Sequence, residues 1–298
     1  MNDASFAADF PEGASLRKLR PRLIERLQQA GIDEAAVEAD ILLAWLLDCS
    51  QSQLALAADR KMDALVRCRF LTALARRLRR EPLAYILGEW EFWSLPFFVT
   101  KAVLIPRPET ELLVEQALNF ASLSSHSPLR ILDLGTGSGI LAVVLAKELP
   151  AAKLIAVDRS PAALAIARRN VRRHGVADRI SLVGSDWLKA FRAAALFDLA
   201  VANPPYVVGR DLATLSPEVR DFEPRQALDG GERGLDDIIK LCHHLPAVLA
   251  PGALLLLEIG WDQGEEVRRL FSVNPDYVQV EILSDLAGLP RVLRCLRK

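Results

Sequence analysis

One stretch restricts the possible folds of this chain more than any other: Leu129-Arg130-Ile131-Leu132-Asp133-Leu134 runs directly into Gly135-Thr136-Gly137-Ser138-Gly139, and that into Ile140-Leu141-Ala142-Val143-Val144-Leu145-Ala146. A short apolar run, a turn of glycines and an apolar helical run in immediate succession form the first strand, turn and helix of an open α/β sheet. Further strand-like runs follow at Lys153 to Asp158, Ile180 to Val183, Phe197 to Ala202 and Ala253 to Ile259, with helical stretches between them. Such alternation predicts a mainly parallel sheet with helices on both faces. Two late runs, Tyr277 to Ile282 and Arg291 to Leu296, have only a loop between them, so an antiparallel pair should end the sheet.

The glycine loop points to a ligand. Glycines allow backbone to approach a bound molecule closely, and the free amides and dipole of the following helix favour an anionic group there. A dinucleotide fingerprint, G-x-G-x-x-G, would need glycine where Ile140 stands; the pattern is instead G-x-G-x-G preceded by Asp133. S-adenosylmethionine lacks a pyrophosphate and carries a cationic amino group beside a carboxylate, so an acid next to a tight glycine turn suits its methionine end. Asp158 ends the next strand, near the interval of about 20 residues at which an acid meets ribose hydroxyls. It also stands where a cap for the helix beginning Ser160-Pro161 would stand. After the third strand, Asp186 could accept from an adenine amino group while Trp187 covers the ring; half-buried packing is the plainer role of that indole. The expected cofactor-binding set is therefore Asp133, Gly135, Thr136, Gly137, Ser138, Gly139, Asp158, Asp186 and Trp187, with Asn203 at its border.

Asn203-Pro204-Pro205-Tyr206 follows the fourth strand, at the same carboxyl edge. A planar amino group, as in an amide or an exocyclic aromatic amine, carries two N–H donors and a delocalised lone pair. The Asn203 side-chain oxygen and the Pro204 carbonyl could accept both hydrogens and hold the nitrogen in line with a sulfonium methyl. The prolines stiffen the loop, and the Tyr206 ring could pack on the planar group. Asn203, Pro204 and Tyr206 are thus the expected catalytic residues, with Pro205 beside them for substrate. No histidine is placed as a base: His126 and His174 fall in apparent loops and His243-His244 in a distant helical stretch. The proton becomes acidic as the nitrogen takes on positive charge, so orientation and hydrogen bonding suffice. The motif does not separate a glutamine amide from the amino group of adenine or guanine.

Ahead of these elements, Leu19, Leu23 and Leu27, then Ile41, Leu42, Trp45 and Leu46, then Val66, Phe70, Leu71 and Leu74 fall at helical spacing and predict a small helical domain. Turn residues at Gly31 to Asp33 and around Asp48 to Ser52 divide it. Its Arg76, Arg77, Arg79 and Arg80 cluster reads as a solvated helix end rather than an RNA contact. Pro82 closes the region, and an aromatic-rich stretch, Glu91 to Thr100, around Ser94-Leu95-Pro96 predicts a hairpin linking the domains. The expected boundaries are 1–85, 86–104 and 105–298.

Thirty-seven Lys plus Arg against 38 Asp plus Glu leaves a net charge of −1, which offers no general footprint for a polyanion. The four cysteines, Cys49, Cys68, Cys242 and Cys295, form no C-x-x-C pair and read as buried thiols in a reducing cytoplasm. The first residues, with Asp3, Asp9 and Glu12, do not resemble a signal peptide, and no apolar run reaches the roughly 18 residues of a membrane span.

Val103-Leu104-Ile105-Pro106-Arg107-Pro108-Glu109-Thr110-Glu111, then Asp133 to Gly139, then Asn203 to Tyr206 together resemble the HemK/PrmC family of release factor N5-glutamine methyltransferases. The resemblance spans nearly the whole chain, including the Glu91-Phe92-Trp93 hairpin. It implies the Rossmann-like S-adenosylmethionine-dependent methyltransferase fold, a seven-stranded sheet with an all-α N-terminal substrate-recognition domain. It further implies cofactor at Gly135 to Gly139, Asp158 and Trp187, and the glutamine of a Gly-Gly-Gln loop at Asn203 to Tyr206. Arg107 and Glu109 join the substrate-binding set because sister enzymes acting on ribosomal proteins usually differ there; Pro108 and its neighbouring acids also suit a helix start. Arg233 stands where the family often has Asp, and Glu258-Ile259-Gly260 with Gln263 fits a structural role. The expected partner is a release factor, without nucleic acid, membrane or metal, and one active site per chain calls for no dimer. A nucleic-acid amino methyltransferase, a ribosomal-protein glutamine methyltransferase and a binding protein without catalysis are the alternatives; the last would be expected to lose Asn203 or the glycine loop, and both are present.

Overall fold

The structure, a computed structural model, describes residues 7–124 and 128–298. Asp3 and His126 lie outside the described residues. The chain divides into two compact units, Met1–Gly88 together with Pro217–Phe222, and Glu89–Ser216 together with Glu223–Lys298.

The first unit is helical: α1 (Leu16–Gln29), α2 (Ala35–Leu47), α3 (Gln51–Leu54), α4 (Ala64–Leu78), α5 (Leu83–Leu87) and the short α9 (Pro217–Phe222). Leu19, Leu23 and Leu27, one helical turn apart on α1, are fully buried and pack with Leu42, Phe70 and Leu74. Burying each such side chain contributes about 1.5–3 kcal/mol. The Asp63 carboxylate caps α4 by accepting from Val66 N–H at 2.8 Å. The arginine cluster departs from the solvated helix end that its charge suggested. Arg77 is 3% exposed and its guanidinium donates to Glu38 and to Glu218 of α9; Arg80 donates to Glu218 and to the Ala30 and Gly31 carbonyls, and Arg76 to Glu81. Three of these charges are therefore held by partners within the unit. Cys68, expected to be buried, is exposed, because it lies off the Phe70–Ala73–Leu74–Arg77 face of α4.

The second unit begins with a hairpin, β1 (Glu89–Phe92) and β2 (Leu95–Phe98). Its turn is Trp93-Ser94, both at positive φ, and Pro96 sits inside β2 rather than in the turn. The remaining elements are α6 (Glu111–Leu123), β3 (Arg130–Leu134), α7 (Ile140–Glu148), β4 (Lys153–Asp158), α8 (Pro161–Arg173), β5 (Ile180–Gly184), β6 (Phe197–Ala202), α10 (Asp236–His244), β7 (Leu249–Glu258), α11 (Gly264–Ser272), β8 (Tyr277–Ser284) and β9 (Pro290–Arg297). Seven strands form one sheet in the order β5-β4-β3-β6-β7-β9-β8, parallel except for β9, which runs antiparallel to both β7 and β8.

Period-two alternation divides the sheet's side chains between two cores. Ile131, Leu199, Val201, Leu254 and Leu256 face Leu113, Val114 and the apolar side of α7; Leu132, Leu134, Ala200, Leu255 and Leu257 face α10 and α11. The hairpin packs against α8: Asn170 Oδ1 accepts from Phe98 N–H, its Nδ2 donates to the Phe98 and Ser138 carbonyls, and Arg169 and Arg173 lie over the Phe98 ring. Strand order reverses between β4-β3 and β6-β7, which opens a crevice at the carboxyl ends of β3 and β6.

Candidate functional site

That crevice is a cleft enclosing ≈ 970 Å³ out to its solvent mouth, lined among others by Arg107, Thr110, Asp133, Gly135, Thr136, Gly137, Ser138, Asp158, Asp186, Trp187, Asn203, Pro205 and Asp237. Every lining residue belongs to the second unit.

Asp133 lies on the same sheet face as Ile131, so its carboxylate takes a core position and is 0% exposed. Its Oδ2 accepts from Thr136 Oγ1 at 2.6 Å and from Ala142 N–H at 3.2 Å, while Oδ1 is buried without a partner. Burial pushes its pKa up to about 7, against the opposing pull of those two hydrogen bonds.

In the glycine loop some of the expected free amides are already taken. Gly135 and Thr136 N–H both donate to the Val157 carbonyl, Gly137 N–H to Asp158 Oδ2 at 2.9 Å, and Gly139 N–H to the Thr136 carbonyl. The loop turns back on the end of β4 and consumes those donors, while Ser138, Ile140 and Leu141 N–H at the start of α7 have no acceptor among the described residues. What glycine supplies here is conformation and clearance: Gly135 has φ +72° and a Cβ there would sit 3.5 Å from the Trp187 ring. Gly139 caps α7 at φ +84°, against Ala167 of α8, and does not line the cleft.

Asp158 both lines the cleft and works as a local cap, its Oδ1 accepting from Ser160 N–H at 2.8 Å. Trp187, at φ +50°, donates from Nε1 to Asp237 at 3.0 Å, which fixes the indole across the loop. The Asp186 carboxylate is 42% exposed and paired with Lys189; that lysine holds it well below the usual carboxylate range.

Asn203 leaves β6 directly into the cleft. Its Nδ2 donates to Thr110 Oγ1 at 3.3 Å, Thr110 Oγ1 donates to Glu258 Oε2 at 2.6 Å, and Tyr206 Oη donates to Glu258 Oε1 at 3.3 Å. Asn203 Oδ1 has no partner among the described residues. Pro204 and Tyr206 do not line the cleft. Tyr206 points its hydroxyl into the protein, and burial beside Glu258 drives its phenol pKa upward. Its carbonyl accepts from Gln263 Nε2 at 3.0 Å, and the same Nε2 donates to the Gly234 carbonyl. Gly234 approaches so closely that a Cβ would stand 2.3 Å from the Tyr206 oxygen.

Arg107 lines the cleft and is paired with Glu223, whose other oxygen accepts from Ile105 N–H at 3.1 Å. Glu109 lies outside the cleft, 3.9 Å from Arg291. Arg233 is exposed and paired with Glu266. Thr110, Glu223 and Asp237, which the residue patterns did not mark, are all buried polar groups tying site elements together.

Residues 19–88 match the PrmC N-terminal domain and residues 110–218 the methyltransferase small domain. Proteins named release factor glutamine methyltransferase are 42% identical over 285 residues in Geobacter sulfurreducens, covering 95% of this chain and 97% of that one, and 44% identical over 272 residues in Cereibacter sphaeroides, covering 91% and 94%. The chain belongs to the release factor glutamine methyltransferase family. A solved structure, the hMettl16 catalytic domain in complex with a 3′UTR hairpin, is similar with a TM-score of 0.53 and 15% identity over 79% of this chain and 83% of that one, a likeness of fold alone. Among the described residues no helix is long and apolar enough to cross a membrane.

Proposed function

We propose that this protein transfers the methyl group of S-adenosylmethionine to the side-chain amide nitrogen of a glutamine in a peptide chain release factor, the Gly-Gly-Gln glutamine, in the cytoplasm. The observation that carries this reading is the pair of open acceptors on one cleft: the orphaned Asp133 Oδ1 and the unpartnered Asn203 Oδ1. A buried carboxylate oxygen without a donor is costly, and a cationic amino group is the partner that would relieve it most. The donor set therefore fits a ligand that is cationic at one end and has an aromatic base to lay against Trp187 at the other. Asp133 would hold the amino group, Asp158 the ribose hydroxyls, and Trp187 the adenine. Asp186 is turned outward to Lys189 and would reach the base only by giving up that pair.

When bound, S-adenosylmethionine supplies an electrophilic methyl group on a sulfonium. The chain's own work is orientation. Asn203 Oδ1, at the cleft, accepts one N–H of the glutamine amide, and the carbonyl of the adjoining Pro204, which does not itself line the cleft, accepts the other as the substrate enters, so that the amide plane is fixed and its nitrogen lone pair is directed into the cleft. Transfer of that methyl group would break its bond to sulfur and form one to the amide nitrogen, whose N–H would become acidic and pass its proton to solvent, so no strong base is required. Pro204 and Pro205, both buried, hold the loop rigid, and Gln263 anchors it at the Tyr206 carbonyl.

Incubation with cofactor labelled in its methyl group, in the presence of a bacterial release factor or of bulk nucleic acid, tests the reading. Label is expected on the Gly-Gly-Gln glutamine. Label on nucleic acid and none on that glutamine would overturn it.

A further inference from the structure

The Asn203 amide is useful only one way round. To accept from a substrate N–H it must present Oδ1, and an amide can rotate to present Nδ2 at little cost unless something fixes it. Thr110 and Glu258 are placed to do so. Thr110 is 1% exposed at the head of α6, and Glu258 is 1% exposed at the end of β7. The Thr110 hydroxyl has one hydrogen. While that hydrogen is committed to Glu258 Oε2 at 2.6 Å, the oxygen can only accept toward Asn203, so Nδ2 must face Thr110 and Oδ1 must face the cleft. The second Glu258 oxygen accepts from Tyr206 Oη, which ties the other end of the same loop to the same carboxylate.

We propose that Thr110 and Glu258 are positioning residues: an ionised Glu258 directs the hydrogen-bond chain Asn203 to Thr110 to Glu258 so that Asn203 offers an acceptor to the substrate amide, and a protonated Glu258 reverses the chain and turns the amide round. In the reversed chain Glu258 donates to Thr110 Oγ1, Thr110 donates to Asn203 Oδ1, and Nδ2 faces a substrate that has only hydrogens to offer. This rests on the role given to Asn203 in the proposed function.

The charges facing Glu258 come from each element around it. Glu109, beside Thr110, opposes its ionisation; Arg291 of β9 favours it, although Arg291 is also held by Asp285; Arg107 lies toward Tyr206. Burial is the largest influence and pushes the Glu258 carboxyl up to about 7, so the switch falls in a range that can be titrated.

The test is kcat against pH at saturating S-adenosylmethionine and release factor, which confines the titration of Asp133 to the cofactor's KM. Wild type is expected to lose about tenfold in kcat per pH unit below about 7 and to level off above it. Glu258→Gln should lower kcat at pH 8 by about 10- to 100-fold, flatten the acid limb and leave cofactor affinity within about twofold. Thr110→Val should behave alike and Thr110→Ser should restore turnover. Wild-type kcat with an intact acid limb in Glu258→Gln would overturn the proposal, as would Thr110→Val turning over normally; the latter decides the matter if the Gln variant does not fold. Should Asn203→Ala itself remain active, the reading of Asn203 fails; should it be inactive while Thr110→Val and Glu258→Gln are normal, only the positioning chain fails.

Discussion

Asp133 and Glu258 form an instructive pair. Both stand at the carboxyl ends of strands in one sheet, both take positions on the same face as core aliphatics, and burial pushes both up to about 7. They differ in what their oxygens meet. Asp133 has one oxygen satisfied by its own loop and one with nothing, whereas both Glu258 oxygens accept from side chains of the chain itself. Under the roles proposed above, the same electrostatic cost would serve two ends: the unfilled oxygen of Asp133 would take a ligand, and the filled oxygens of Glu258 would orient a neighbour.

The sharpest way to break that comparison is at the far end of the Glu258 chain. Asn203→Ala removes the acceptor that the chain orients, and methyl transfer is expected to fall by about 10³-fold or more while calorimetric cofactor affinity stays within about threefold. Asp133→Asn is expected to do the reverse, weakening cofactor by about 100-fold through loss of a buried charge partner and leaving kcat at saturation within about threefold. If both substitutions moved the same parameter, the division between a ligand-facing and a protein-facing carboxylate would be gone.

A third substitution probes the scaffold that both regions need. Gly234 has φ +71° and lies against the Tyr206 carbonyl, so Gly234→Ala requires strain and displacement together. Chemical denaturation should show a loss of about 2–3 kcal/mol. Because the shifted atom is the one Gln263 holds, turnover should fall with it. A variant that unfolds earlier yet turns over normally would show that the loop's anchoring is separate from its chemistry.

Asp133 was legible in sequence because a strand, a glycine turn and a helix in succession leave few alternatives, and because an acid before the glycines is out of place in an apolar strand. Asn203 was legible for a related reason, its position after β6 and before two prolines. Thr110 and Glu258 were not, since each sits in a segment with a sufficient structural explanation, a helix start and a strand end. Their meeting depends on α6 crossing the carboxyl end of β7, a tertiary fact without local trace. The arginine cluster misled for the same reason: Glu38 and Glu218 lie 39 and 141 residues from Arg77. In the glycine loop, the sequence did not reveal that Gly135, Thr136 and Gly137 give their amides to the end of β4, because the register with β4 decides that Val157 and Asp158 take them.

The smallest expected effect tests whether the Asp133 oxygen is as available as its geometry suggests. A carboxyl whose folded pKa is raised binds a proton that the unfolded chain releases near the ordinary carboxylate range. Its burial therefore weighs more heavily on the ligand-free fold as pH rises from about 4 toward 7. A cationic ligand favours the ionised form, so binding should release a proton below about pH 7 and affinity should rise by up to about tenfold per pH unit until it levels above that pH. Thermal melts with and without S-adenosylmethionine at pH 5.5 and 7.5 provide the measurement. The cofactor-induced rise in Tm should be larger at the higher pH in wild type and independent of pH in Asp133→Asn. Glu258→Gln should keep the wild-type pH dependence, since Glu258 has no oxygen left for the ligand. Loss of the dependence there would mean that the two carboxylates titrate as one system rather than as two.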